Sequence, residues 1–395
     1  MGLHNFFGKP KGQMKADANR DDVGAKNKFA LELYSKLRQP GGNLFFSPFS
    51  ISTALAMAYV GAHGKTRDQM GNALHFDSDM AQHNNEFRRL LQETLSKGSW
   101  KLNIANALWG QEGIEYLLDF TDSLKRYYGS ELQRVDFRKS EEARVEINKW
   151  VEERTNGKIE ELIGEGMIQQ STLLVLVNAI WFNAKWANPF KGEDTYDAEF
   201  KLLNGGGTKT PFMHQTEFFN YAEYGKVQIL EMPYEGNELS MIIFLPKDTG
   251  DLSYVEDLLI PENIGEYLSI LKSEEVIVTI PKFNLVSEFQ LEDILAGLGM
   301  EDAFNPELAD FSGMIDPAKI REENGFFISS VIHKAFVDVY ELGTEAAAAT
   351  AVIMEAGCCM EPDNKRYFTA DHPFVFIILN KHTNSILFCG RLMKP

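Results

Sequence analysis

Residues Leu173–Ile180 form a nearly unbroken apolar run whose one polar member is Asn178. A strand apolar on both sides has to be covered on both sides. This run therefore predicts a central strand with packed layers above and below it, and the rest of the chain has to supply them. Helical spacing dominates the part before it. Phe29, Leu33 and Leu37 fall on one helical face, and Ser50 is placed to cap a helix carrying Ile51, Ala54, Leu55 and Ala58. A further helical pattern runs over Glu142–Leu162, around Ile147, Trp150, Val151 and Ile159.

Strand patterns fill the part after it. Val227–Met232 and Leu239–Leu245 flank a turn-rich Pro233-Tyr234-Glu235-Gly236-Asn237 and predict a hairpin. Val276–Ile280 stops at Pro281, and Phe374–Leu379 with Ile386–Cys389 predicts a closing hairpin. Helices first and strands later give an α+β fold. Residues 1 to 24 are polar and charged and are expected to be a mobile tail. No linker or internal repeat divides 25–395, which predicts a single domain.

Composition excludes several classes. The net charge is −18, and the basic residues form only short pairs such as Arg88–Arg89 and Lys365–Arg366, so nucleic acid is not an expected partner. No apolar run is long enough to span a bilayer. Three cysteines, Cys358, Cys359 and Cys389, do not make a disulfide framework. The N-terminus lacks a signal-peptide core, Phe6 breaks the myristoylation pattern begun by Met1-Gly2, and there is no Asn-x-Ser/Thr sequon. The expected location is cytoplasmic, or extracellular after release without a signal peptide. No G-x-S-x-G elbow, H-E-x-x-H, phosphate loop or Cys-x-x-Cys is present, so neither an enzyme nor a metal or cofactor site is expected.

One segment remains: Glu341-Leu342-Gly343-Thr344-Glu345-Ala346-Ala347-Ala348-Ala349-Thr350-Ala351-Val352. Alanine-rich composition reads most simply as a helix capped by Thr344. Context offers a second reading. Gly343 is a pivot just upstream, and Ala356-Gly357-Cys358-Cys359-Met360-Glu361-Pro362 downstream reads as an exposed loop. In a strand, Thr344, Ala346, Ala348 and Thr350 face one way and Glu345, Ala347 and Ala349 the other, all small enough to enter an existing sheet except Glu345.

Gly343-Thr344-Glu345-Ala346-Ala347-Ala348-Ala349-Thr350 resembles the hinge of inhibitory serpins. The resemblance extends from about residue 25 to the end. Asn43-Leu44-Phe45-Phe46-Ser47-Pro48-Phe49-Ser50 is similar to the start of the family's second helix. Leu176-Val177-Asn178-Ala179-Ile180-Trp181-Phe182, with Trp186, is similar to the third strand of its main sheet. Glu231-Met232-Pro233-Tyr234, Pro281-Lys282-Phe283, Asp371-His372-Pro373-Phe374 and Phe388-Cys389-Gly390-Arg391 resemble its later signatures. The absence of a signal peptide resembles the intracellular branch, typified by leukocyte elastase inhibitor.

The resemblance implies about nine helices around three β-sheets, with an exposed reactive centre loop over about 341–367. It also implies a monomeric inhibitor that acts as a suicide substrate. A serine protease attacks the loop, forms an acyl-enzyme, and is carried away as the cut loop becomes a new central strand. About 15 residues at roughly 3.3 Å each give about 50 Å of travel. The family's spacing from the hinge glycine places the cut at Gly357–Cys358. The stretch up to Phe368 is longer than usual, which leaves Cys358, Cys359 and Met360 as alternative residues before the cut. All are small or medium and uncharged, suiting an elastase- or chymotrypsin-like target. Adjacent Cys358 and Cys359 read either as two small loop residues or as an oxidisable bait. The hinge comprises Glu341, Gly343, Thr344, Glu345, Ala346, Ala347, Ala348, Ala349 and Thr350. Ser47, Ser50, Asn178 and His333 match a buried polar cluster where the central strands part, and Trp186 matches the top of the sheet where insertion begins. Leu342 replaces a usual Glu and Ala184 a common Gly. The alternatives are a non-inhibitory serpin and a cross-class inhibitor of papain-like cysteine proteases.

Overall fold

The computed structural model describes residues 27–39, 41–95, 100–322, 325–344 and 365–395. The expected tail, hinge residues Glu345 to Thr350, and Gly357, Cys358, Cys359 and Met360 lie outside these.

The apolar run becomes β4 (Leu174–Lys185). On one side it pairs antiparallel with β2 (Lys101–Gln111), which itself carries β3 (Gln133–Val135). On the other side it pairs parallel with β11 (Ser330–Tyr340), from Ser330 opposite Val175 to Phe336 opposite Trp181. β10 (Phe283–Gln290) closes that edge. Both faces of β4 are covered. Ile180, Phe182 and Ala184 enter one core, and Val175, Val177 and Ala179 enter another, beneath helix α6 (Ser140–Arg154).

The second sheet runs β1 (Leu44–Phe46), β15 (Ser385–Leu392), β14 (Phe374–Asn380), β8 (Leu239–Pro246), β7 (Val227–Pro233), β6 (Gly207–Tyr224), β9 (Lys272–Pro281), β13 (Arg366–Thr369), with β5 (Tyr196–Lys201) also on β6. Both expected hairpins are present, as β7–β8 and β14–β15. The 18 residues of β6 let it pair with β7 near its end and with β9 along most of its length. One long strand thus joins two of the three expected sheets into a continuous ladder.

The described residues include ten α-helices. α1 (Lys28–Leu37) buries Phe29, Leu33 and Leu37 together. α2 (Pro48–Tyr59) buries every residue except Ser52. A helix apolar all round belongs in an interior, and α2 packs on β2, β4 and β15. Its cap is Ser47, whose side chain accepts the Ser50 N–H at 3.1 Å. Ser50 is inside the first turn because Pro48, with no N–H to satisfy, takes the first helical position. The helix expected over 142–162 ends at Arg154. Asn156 (φ 53°) and Gly157 (φ 74°) are left-handed and turn the chain back. Ile159, Leu162 and Ile163 still reach the core, so the apolar periodicity outlasts the helix. The returning loop is held by the buried Asn148, whose Oδ1 accepts from the Leu162 and Ile163 N–H groups and whose Nδ2 donates to the Ile163 carbonyl.

Asn148→Ala leaves the Leu162 and Ile163 N–H groups without a partner and the Ile163 carbonyl with only a 3.4 Å bond from Arg144. Such buried losses cost about 1–3 kcal/mol each when water cannot replace the bond. The expected result is a stability loss of about 2–4 kcal/mol, read as a lower denaturant midpoint at unchanged slope.

Candidate functional site

At the top of the six-stranded sheet, β4 and β11 spread apart and a two-residue strand, β12 (Gly343–Thr344), stands between them. Thr344 lies opposite Ala184 of β4 and Val339 of β11, and Gly343 lies opposite Lys185 and Tyr340, both antiparallel. Only glycine fits at 343. Its φ is +150°, and a Cβ there would stand 2.1 Å from the Ala184 carbonyl oxygen. Thr344 is fully buried, and its hydroxyl meets the Tyr234 hydroxyl at 2.9 Å. Tyr234 stacks on Trp186 with centroids 4.5 Å apart and planes 12° from parallel. The Trp186 indole N–H donates to the Tyr340 carbonyl at 3.0 Å. At the start of the hinge, Glu341 accepts from Thr195 at 2.9 Å and pairs with Lys282 at 2.9 Å. Burial alone would raise its carboxyl, but the bonds from Lys282 and Thr195 outweigh that and hold it below the usual range.

Six residues along β4 from Ala184, where β4 and β11 pair directly, a polar row crosses the sheet. His333 of β11 lies opposite Asn178 of β4, which lies opposite Asn106 of β2. The Ser47 N–H donates to His333 Nε2 at 3.1 Å, so the ring proton is on Nδ1 and is donated to Asn178 Oδ1. Asn178 Nδ2 donates to Ser50 Oγ at 2.8 Å and to Asn106 Oδ1 at 2.6 Å, and Ser50 Oγ donates to Asn106 Oδ1 at 3.0 Å. Ser47 Oγ donates to the Leu387 carbonyl at 2.7 Å, tying the cluster to β15. Ser47, Ser50, Asn178 and His333 are all fully buried. Burial pushes the His333 imidazolium pKa down to about 3, so the ring is neutral at physiological pH.

The profile of the family described as Serpin (serine protease inhibitor) matches residues 24–395. The chain is a serpin. It is 44% identical over 378 residues to the leukocyte elastase inhibitor of Xenopus laevis, covering 93% of this chain and 97% of that one. It is 42% identical over 383 residues to the leukocyte elastase inhibitor of Homo sapiens, covering 94% and 98%. Among solved structures, a highly specific serpin of the insect Tenebrio molitor superposes with a TM-score of 0.84 at 30% identity, over 98% of this chain and 100% of that one. Uncleaved ovalbumin superposes with a TM-score of 0.83 at 27% identity, over 95% and 100%.

In this serpin the five residues singled out from the sequence divide into two groups. Ser47, Ser50, Asn178 and His333 form one hydrogen-bonded cluster, while Trp186 stands with Thr344 and Tyr234 at the top. Two contributors were missed. Asn106 bridges Ser50 and Asn178, and its signal is a polar residue sharing the strand face of Leu102, Ile104 and Leu108. Tyr234, read as part of a hairpin turn and of a family signature, carries the hydroxyl that holds Thr344. Among the described residues no group of three or more His, Cys, Asp or Glu is arranged to hold a metal, and no helix is long and apolar enough to cross a membrane.

The buried neutral imidazole makes stability depend on acid. The unfolded chain binds a proton at His333 near pH 6.5, whereas the fold does not until about pH 3. Between these values the unfolded state binds more protons, so stability falls as pH falls. His333 contributes about 2 kcal/mol to the loss between pH 7 and pH 5. Comparing wild type with His333→Gln in denaturant titrations at both pH values should show a shallower loss in the variant; equal slopes would show that His333 does not titrate in this window.

Proposed function

We propose that this serpin is a suicide-substrate inhibitor that traps an elastase- or chymotrypsin-like serine protease as a covalent acyl complex, with the cut loop entering the sheet between β4 and β11. The observation that carries this reading is the register of Gly343 and Thr344, which already stand as the first two residues of such a strand. Continued in the same register, Ala346 falls between Phe182 and Val337, and Ala348 between Ile180 and Ala335. Thr350 falls between Asn178 and His333, where its hydroxyl replaces the bond those two residues now make to each other. The side chains entering the core face are therefore methyl groups beside Phe182, Val337, Ile180 and Ala335 and a hydroxyl opposite the polar row.

The energetics run the same way. Insertion parts one parallel ladder, from Ser330 opposite Val175 to Phe336 opposite Trp181. It replaces that ladder with two antiparallel ones, which are slightly more stable per residue. The polar cluster acts as a latch in this reading. It holds the strands together with every buried group satisfied, and it re-forms around Thr350 once they part. The relatives named as leukocyte elastase inhibitors support an elastase-like target. The uncharged residues around Gly357 suit the same pocket. The favoured cut is Gly357–Cys358, with Cys358, Cys359 and Met360 as the alternative positions, and the favoured location is cytoplasmic.

The test is to mix the protein with neutrophil or pancreatic elastase and examine the products by denaturing electrophoresis and mass spectrometry. The expected products are a band at the summed mass and a released C-terminal peptide beginning at Cys358. Cleavage without a covalent band, repeated with trypsin-, chymotrypsin- and papain-like proteases, would sink the inhibitory reading. Thr344→Arg forces a cation into a fully buried slot, and it is expected to divert most of the protein to simple cleavage.

A second variant probes the latch. Thr350→Val keeps shape but removes the hydroxyl, leaving His333 Nδ1 and Asn178 Oδ1 without a partner only after insertion. Cleaved protein should lose about 1–3 kcal/mol while uncleaved protein is unchanged, as measured by guanidinium titration of both forms.

A further inference from the structure

The outer face of β6, β9 and β13 carries an exposed apolar patch. Register sets its members side by side. Thr216 of β6 lies opposite Ile277 of β9, which lies opposite Tyr367 of β13, and in the next row Phe218 lies opposite Glu275. Their chain neighbours Phe219, Val276, Val278 and Phe368 point the other way, into the core. Phe218 is 67% exposed and Tyr367 58%, and Ile277 between them is half-buried. Opposite and diagonal neighbours on one sheet face stand about 5–8 Å apart, so the three side chains make one continuous surface. A single exposed apolar residue is ordinary, whereas a contiguous group of large ones marks a place of contact.

Further along the same face of β6 the protein supplies its own cover. The ring of Tyr224 stands 5.1 Å from that of Tyr267, on the helix Pro261–Ile270. Among the described residues nothing covers Phe218 in that way. Charge is also sparse here. The chain carries a net charge of −18, yet of the five residues in these two rows only Glu275 is ionised, and it pairs with Lys365 at 3.2 Å. A neutral aromatic surface of this kind complements an apolar patch on a partner protein.

Its position points to the partner. The chain returns from the bait loop at Lys365, and Tyr367 is the second residue of the strand that follows. Gly357 lies ten residues before Tyr367, a span of at most about 36 Å. A protease domain of about 250 residues has a radius of gyration of about 18 Å and a diameter above about 40 Å. A protease closed on the loop near Gly357 therefore stands within reach of this face, and contact here continues the surface that the loop itself offers.

We propose that Phe218, Ile277 and Tyr367 form an accessory docking surface for the protease that takes the bait loop, matched by an apolar patch beside that protease's substrate cleft. The inference rests on the reading of the loop as bait, but not on trapping. Docking acts on the encounter, before the acyl-enzyme divides between escape and insertion.

The test measures the second-order rate constant of loop cleavage by neutrophil elastase, pancreatic elastase and chymotrypsin, counting cleaved protein and covalent complex together. It compares the full chain with Phe218→Thr, Tyr367→Thr and the double variant. Threonine suits a strand and both positions are exposed, so the fold is kept, which the thermal midpoint checks. For at least one of these proteases, each single variant should slow cleavage several-fold and the double variant roughly tenfold or more. The loss should be the same at low and high salt, because it is not electrostatic, and the ratio of complex to cleaved protein should not change. Phe218→Tyr should keep the wild-type rate. Cleavage without a covalent band would sink trapping and leave this comparison intact. Rates within about twofold of wild type for every protease would overturn the docking surface. Faster cleavage in the variants would overturn it too, by showing that the bait loop itself lies on this face. So would a wild-type dimer that the double variant separates, since the occupant would then be a second copy of the chain.

Discussion

The parallel ladder between β4 and β11 is the constraint on which the rest of this structure depends. Its residues carry side chains for both cores, so parting it would disturb the packing on each face of the main sheet. At its middle the row His333–Asn178–Asn106 fastens three strands to one another and, through Ser47 and Ser50, to the start of α2. In a ladder made only of apolar side chains, parting would leave backbone groups unpaired but no side chain. A buried imidazole and a buried amide that bond each other make the closed state a distinct minimum, because partial opening leaves His333 Nδ1 and Asn178 Oδ1 without that bond in a low-dielectric interior.

Above that row the same two strands are already separated. Gly343 and Thr344 occupy the gap, held by Tyr234 and, through Trp186, by the carbonyl of Tyr340. The sheet therefore holds a wedge and a clasp on one seam a few residues apart. The wedge needs a residue without a side chain at its corner, since any Cβ at 343 would collide with the β4 backbone. The Glu341–Lys282 pair and the Thr195 bond anchor the chain just before that corner. In the proposed mechanism, this arrangement makes insertion directional: the hinge has one seat, one register and one seam to follow.

α2 connects this seam to the remainder of the molecule. Its N-cap Ser47 and first-turn Ser50 belong to the latch, and Ser47 is bonded to β15 at Leu387.

Much of this protein is decided locally and was legible in its residues. The double-sided apolar run had to be an interior strand, the β7–β8 and β14–β15 hairpins follow from their turns and alternation, and the hinge is marked by a run of small residues beginning at Gly343. Helix limits were less legible. Ser47 rather than Ser50 caps α2, because Pro48 competes for the first position, and the apolar spacing beyond Arg154 continues in a loop whose backbone Asn148 satisfies from fourteen or more residues away in space-filling contact. What only the tertiary structure decided is pairing at a distance. The family resemblance grouped Asn178 with His333, but no pattern in the residues themselves states that the two face each other, that Asn106 completes the row, or that Tyr234 holds Thr344. Those contacts span up to 155 residues of chain, and they exist because strand register, set by the packing of whole faces, brings single polar atoms within bonding distance.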